Sequence, residues 1–202
     1  MTQEEKNLRN EAWEKAIHSF GKSYIFGKRA VFYNRWIRFL TILGIVVPVT
    51  IGATASGYGF DSEILKQTIK ISIPLTIFQL IISVFSIVNS WSENLSYSLE
   101  ATNDYSNLSE SFKKLGKNPP KKIEKLKHLI EILETKYNSR SDQDSKLNLK
   151  DRELRKGMRY ALREFQRECV GCKKKTLSME STNCEVCGKF KRNIIQKLLF
   201  NG

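Results

Sequence analysis

Charge is missing from two long stretches of this 202-residue chain. Across positions 39–60, and again across 71–92, no Asp, Glu, Lys or Arg occurs in 22 consecutive residues. Soluble helices seldom run 18 or more residues uncharged, so the absence argues against an ordinary water-soluble core. Histidine is nearly missing too, with His18 and His128 standing apart on helical patterns. There is no glycine-rich phosphate loop, nucleophile elbow or paired-carboxylate pocket either, so no enzymatic activity is expected. Cysteine is absent until position 169. The first apolar run is too long for the core of a signal peptide, so it is expected to stay in the mature chain.

What is there begins with the length of the two runs. At about 1.5 Å rise per residue each helix would reach about 33 Å, close to the roughly 30 Å of a bilayer's hydrocarbon core. Only a short polar turn separates them, and the rest of the chain is too polar and basic to wrap two such helices. The pattern predicts a transmembrane helical hairpin over 39–92. Its first run is rich in small residues: Gly52 and Ser56, Ala53 and Gly57, and Ala55 and Gly59 are pairs spaced for close helix approach. Pro48 predicts a kink or flexible point mid-run, whereas Pro74 falls in the first turn of the second run, where a missing N–H costs little.

The second run carries a polar stripe. Ser72, Thr76, Gln79, Ser83, Ser86 and Ser90 recur at spacings of three and four, which places them on one helical face. The same register continues through Glu93, Tyr97, Glu100, Asp104, Asn107 and Ser111. Two readings stay open and do not exclude each other. The hydroxyls can hydrogen-bond across a packed helix pair. They can also line a cation-conducting pore with Glu93, Glu100 and Asp104 at its mouth.

The formal net charge is +13 with a pI near 9.6. Residues 1–38 carry +4, 92–111 carry −4, and 112–202 carry +13. Such a balance suits anionic phospholipid headgroups or nucleic acid. Lys22, Lys28, Arg29, Arg35 and Arg38 crowd the approach to the first run, while Lys66 and Lys70 in the turn are offset by Asp61 and Glu63. The positive-inside rule then puts both termini in the cytoplasm. Cysteines confined to the C-terminal part agree, because a reducing compartment keeps thiols free.

Outside the runs the pattern is helical. Residues 2–35 read as an amphipathic helix, with Trp13, Ile17, Phe20, Tyr24 and Val31 on one face, lying on the bilayer or packed on cytoplasmic helices. Trp36 and Trp91 sit at the cytoplasmic ends of the runs, where indoles favour the interface. The second span is expected to run on without a break, through Tyr105, Leu108, Phe112 and Leu115, to a stop at 116–120. A further helix from Pro119 carries Ile123, Leu126, Ile130, Leu133 and Tyr137 on one face, followed by a polar loop at 138–145. A last bundle helix over 146–168 has Leu154, Met158, Ala161 and Phe165 inward, with Arg152, Arg155, Lys156, Arg159, Arg163 and Arg167 outward. Together these predict a small cytoplasmic bundle over 93–168.

Cys169-x2-Cys172-x11-Cys184-x2-Cys187 is the strongest local motif. Two Cys-x-x-Cys knuckles complete a tetrahedron of thiolates, and four cysteines without histidine suit a closed structural zinc site. Disulfides or a redox pair are the alternatives. Gly171 and Gly188 suggest sharp backbone turns toward sulfur. Lys173, Lys174, Lys175, Lys189, Lys191 and Arg192 surround the motif, so nucleic acid is a conceivable partner, although no aromatic stacking set or recognition helix accompanies them. The tail over 190–200, with Ile194, Ile195, Leu198 and Leu199, reads as a short amphipathic helix. The whole is an all-α membrane protein: an N-terminal helix (1–38), a hairpin (39–92), cytoplasmic helices (93–168) and a zinc-ribbon-like module with tail (169–202).

The basic lead-in KRAVFYNRWIRFLTILGIVVPV, two spans and a trailing helix resemble the SLATT group of bacterial two-transmembrane proteins over about residues 5–165. The 2-11-2 cysteine spacing over 169–187 is similar to the mobile-element family named for its CxxC-x11-CxxC pattern. These resemblances imply an inner-membrane effector of prokaryotic defence that oligomerises into membrane-disrupting pores once a separately encoded sensor signals infection. They also imply that Cys169, Cys172, Cys184 and Cys187 hold the metal. The alternative is a membrane-tethered sensor or adaptor whose basic zinc module binds nucleic acid or a partner protein.

Overall fold

Helix formers dominate the chain from its third residue, and the backbone follows them. The computed structural model describes residues 2–190. Its elements are α1 (Gln3–Tyr58), α2 (Glu63–Val88), α3 (Trp91–Lys117), α4 (Ile123–Asp144), one 3-10 turn (Ser145–Leu147) and α5 (Asp151–Glu164). Among the described residues there is no strand, only an isolated antiparallel bridge between Glu168 and Lys175. The all-α class is therefore as the periodicity predicts.

The chain divides into two compact units: residues up to Lys28 together with those from Ser98 onward, and Arg29–Tyr97. In the second unit the apolar part of α1 meets α2 along a narrow seam. Buried or half-buried positions are Leu40, Leu43, Val47 and Ile51 on α1, and Leu65, Thr68, Ser72, Leu75, Gln79, Ile82 and Ser86 on α2. Their spacing of three and four is that of a packed helix pair. Almost everything else faces outward: Ile45, Val49, Ile73, Ile77, Leu80, Ile81 and Ile87 are all more than half exposed. Only 6% of the most apolar 18-residue window of each helix is buried, and both helices are long and apolar enough to cross a membrane.

Polar side chains within these helices serve their own backbone. The hydroxyls of Thr41, Thr50, Thr54, Thr68 and Thr76 each donate to the carbonyl four residues earlier. Where the runs adjoin the rest of the chain, Trp36 and Trp91 lie 6.2 Å apart in a cluster with Phe32, Tyr33, Phe39 and Phe85. α1 passes through Pro48 without a break.

The approach helix and first apolar run are continuous, with no Gly or Pro between 32 and 43, and α1 is a single helix of 56 residues. Two expectations need correction. The second span, conversely, does not run on. α2 stops at Val88, the Asn89 amide donates to the Phe85 carbonyl at 2.8 Å, and Ser90 takes a left-handed φ of 48° before α3 starts. Asn and Ser compete with helix by such local bonds, so the polar register of α2 ends at Ser90. Finally, the polar segment 138–145 is largely helical, because Arg140 and Asp144 are buried and paired.

The other unit has an internal core. Phe26 stacks on Tyr105 at 5.9 Å, and Phe112, Leu108, Leu126 and Ile130 are buried with them. The N-terminal part of α1 thus packs on helices, with the Ser109 hydroxyl donating to the Ala16 carbonyl at 2.8 Å and Arg9 to Gly116 at 3.1 Å. Val31 departs from its assigned face and is 55% exposed. At the crossing of α1 and α5, a Cβ on Gly157 would lie 2.6 Å from the Gly21 carbonyl oxygen, so only glycine fits. Tyr160 of α5 stacks between Tyr24 (4.1 Å) and Phe20 (5.6 Å), fixing the helix that leads into the cysteines.

Candidate metal centre

The four cysteine sulfurs lie within 4.8 Å of one another. Cys169 Sγ and Cys184 Sγ are 3.8 Å apart, and Cys172 Sγ and Cys187 Sγ 3.9 Å. A tetrahedron with Zn–S bonds of about 2.3 Å has edges of about 3.8 Å. A disulfide needs roughly 2.05 Å, so all four thiols are free. The arrangement is a candidate metal site in its donor set and spacing.

Each knuckle is closed by the same backbone device. The Lys173 N–H donates to the Cys169 carbonyl at 2.8 Å, and the Gly188 N–H to the Cys184 carbonyl at 2.9 Å. The residues that take left-handed φ are Lys173 (56°) and Lys189 (52°), not the glycines. Gly171 and Gly188 are needed for closeness instead. A Cβ on Gly188 would meet the Thr182 oxygen at 2.2 Å, and one on Gly171 would meet Val186 Cγ2 at 2.8 Å. The Cys169 N–H also donates to the Lys174 carbonyl (3.1 Å), pinning the first knuckle beside the Glu168–Lys175 bridge.

Burial divides the thiols. Cys169 and Cys187 are fully buried with Ile17, Ala161 and Leu162, flanked by Phe20, Met158 and Phe165. Burial raises the Cys187 thiol far above its ordinary value, and its sulfur neighbours add to this. At Cys184 burial also acts upward, but the N–H groups of Cys187 and Val186 outweigh it and bring the thiol down to about 7. Such a set suits a divalent ion that displaces protons from all four.

Arg159 is the residue the sequence pattern misplaces. Assigned to the outward arginine face, it is 6% exposed, with Nε donating to the Ser178 carbonyl at 2.8 Å and Nη1 to the Cys187 carbonyl at 3.3 Å. Nη1 also lies 3.8 Å from Cys187 Sγ. This guanidinium ties α5 to the second knuckle. Leu154, assigned inward, is 39% exposed. The only sequence signal for Arg159 is its place beside Gly157, whose missing side chain lets α5 approach α1.

The remaining candidate positions are dispersed. Ser72 is buried and Gln79, Ser83 and Ser86 half-buried on the α1-facing side of α2, while Thr76 is exposed and Ser90 lies in the helix break. Gln79 Nε2 reaches the Leu40 carbonyl at 3.5 Å, beside Gly44. Glu93 is exposed in the first turn of α3. Glu100 and Asp104 both bind the buried Arg140, at 2.7 and 3.0 Å. Two carboxylates spaced four apart on a helix were the available hint of a shared cation. Lys173, Lys174, Lys175 and Lys189 are exposed around the cysteines. Lys191, Arg192 and the tail helix from residue 191 on lie outside the described residues.

No curated protein and no solved structure matches the chain. A family model described as Mobilome CxxCx(11)CxxC protein matches residues 9–190. The likeness therefore reaches far beyond the cysteine spacing, across both apolar helices and the bundle. A match of that extent, with the four sulfurs gathered as the pattern requires, makes the chain a member of the Mobilome CxxCx(11)CxxC protein family.

Proposed function

We propose that this is an integral membrane protein that oligomerises and disrupts a prokaryotic inner membrane, as an effector of a defence system. The apolar part of α1 and α2 cross the bilayer as a hairpin, and both termini stay cytoplasmic. The observation that carries the reading is the exposure of the hairpin: only 6% of such apolar windows is buried, and so large an exposed apolar surface marks a membrane or partner contact. Self-satisfied threonine hydroxyls and the Trp36–Trp91 aromatic cluster support it, because hydrocarbon offers no other partners and indoles collect at its boundary. Gly52 and Gly57 face open space, so a small-residue surface remains for a second copy of the chain. Zinc held by Cys169, Cys172, Cys184 and Cys187 supplies a structural clamp.

The polar stripe of α2 faces α1 within one chain, so pore opening requires that seam to part in the assembly. The SLATT resemblance supports the effector role. A rival follows from the same seam: with its polar groups already used in packing, the hairpin only anchors, and the lysine-rimmed module is an adaptor for nucleic acid or a protein. Expression of residues 1–165 with a membrane-potential dye separates the two. Depolarisation without the cysteine module supports the effector; no depolarisation by either form leaves the tether. Recovery of the full chain in the soluble fraction without detergent would overturn both.

A further inference from the structure

Beside the sulfur cluster, between the two knuckles, lies a cavity of about 400 Å³ lined by Arg159, Lys174, Lys175, Thr176, Thr182 and Asn183, with Cys172 and Cys184 at its edge. Thr176 is 4% exposed, and its buried hydroxyl has no hydrogen-bond partner among the described residues. Native proteins rarely leave such a group unsatisfied. Arg159 is equally buried and pairs there with no carboxylate among the described residues; its partners are the Ser178 and Cys187 carbonyls, the Thr182 hydroxyl and a sulfur. The described lining therefore offers one fixed guanidinium, two ammonium groups, two hydroxyls and a carboxamide, with no carboxylate and with the sulfurs of Cys172 and Cys184 as its acidic groups, at the edge.

We propose that this cavity binds the phosphate group of a phosphate monoester. A dianion with three terminal oxygens matches a donor-rich, carboxylate-free lining, and a guanidinium held by its other bonds is pre-oriented for it. The volume exceeds that of phosphate, leaving room for an organic remainder. Two sources carry this chemistry, a soluble monoester and the monoester headgroup of phosphatidate. The proposal stands on this cavity and is independent of the effector reading.

The test uses the full chain, zinc-loaded, in detergent micelles, titrated calorimetrically with inorganic phosphate and then glycerol 3-phosphate at constant ionic strength. Saturable binding of one ligand per chain is expected. Thr176→Val, nearly isosteric, should weaken it about tenfold, and the Lys174→Gln/Lys175→Gln pair at least as much, with zinc content unchanged. In nanodiscs, competition by phosphatidate against glycerol 3-phosphate assigns the site to a lipid headgroup; its absence assigns it to a soluble ligand. If the cations only balance a zinc–tetrathiolate charge, phosphate gives no saturable heat. That result, or Thr176→Val that leaves affinity intact, overturns the proposal.

Discussion

Lys22 and Thr50 sit on the same helix and satisfy their polar groups in different ways. The Lys22 ammonium reaches across helices to Tyr105 at 3.0 Å, Ser141 at 2.8 Å and Asp144 at 3.3 Å, and burial holds its pKa below the ordinary lysine value. Thr50 turns back one helical turn to the Val46 carbonyl at 2.7 Å. The contrast runs through both units. The one built on residues up to Lys28 and from Ser98 spends its polar groups on long-range partners around an apolar interior. Arg29–Tyr97 keeps its threonine hydroxyls local, sends the Gln79 amide across to α1, and turns its apolar side chains out. A buried polar group needs a partner on another element, whereas a hydroxyl on an exposed apolar helix can use the carbonyl one turn back.

The comparison breaks hardest at the cysteines, where four gathered thiols form a candidate metal site against a small apolar cluster. Replacing Cys187 by serine, or stripping metal with a chelator, should remove one equivalent of zinc and about 10 kcal/mol of local folding energy. Elemental analysis and hydrogen exchange over 165–190 check this; unchanged protection would mean the module folds without metal. Because protons compete for the thiolates, zinc occupancy should also fall as pH drops, with the raised Cys187 favouring its proton first and Cys184, near 7, after it. A zinc content flat down to pH 5 would contradict that sign.

Asp144→Ala should cost about 3–5 kcal/mol, because it leaves the buried Lys22 charge without its carboxylate. Thermal melts in detergent measure it, and a shift as small as that of a surface variant would refute the pairing's weight. Gln79→Leu should change hairpin stability by only about 1 kcal/mol, since one interhelical hydrogen bond in a membrane is worth little. A loss several times larger in a reversible unfolding assay would give Gln79 a larger role. Smallest of all, Ile45→Ala, at a 60% exposed position, should leave stability in detergent within about 0.5 kcal/mol. The fully buried Phe112→Ala is its control, at about 3–5 kcal/mol. Equal losses for the two would erase the distinction between the units.

Much of this was legible because period and spacing report burial directly. Phe112, Leu126 and Ile130 fall at three-and-four intervals and are buried, and the 2-11-2 cysteines converge as their spacing demands. What escaped depends on partners far away in sequence. Arg140 and Asp144 read as loop because local composition is polar, yet their ion pairs with α3 and α1 keep that stretch helical. Arg159 read as solvated because a guanidinium on a basic face usually is, and only the folded knuckle supplies its carbonyls. Asn89 and Ser90 interrupt the apolar pattern too briefly for periodicity to register a stop.

The Gln79 contact with Leu40 sets a consequence for how the hairpin is assembled. Across the seam it is, among the described residues, the long-reaching amide that meets the other helix's backbone, over a glycine that lets it in. Sliding either rod by a turn would part that amide from its carbonyl, so one side chain acts as a weak detent, worth about 1 kcal/mol, between two otherwise slippery surfaces.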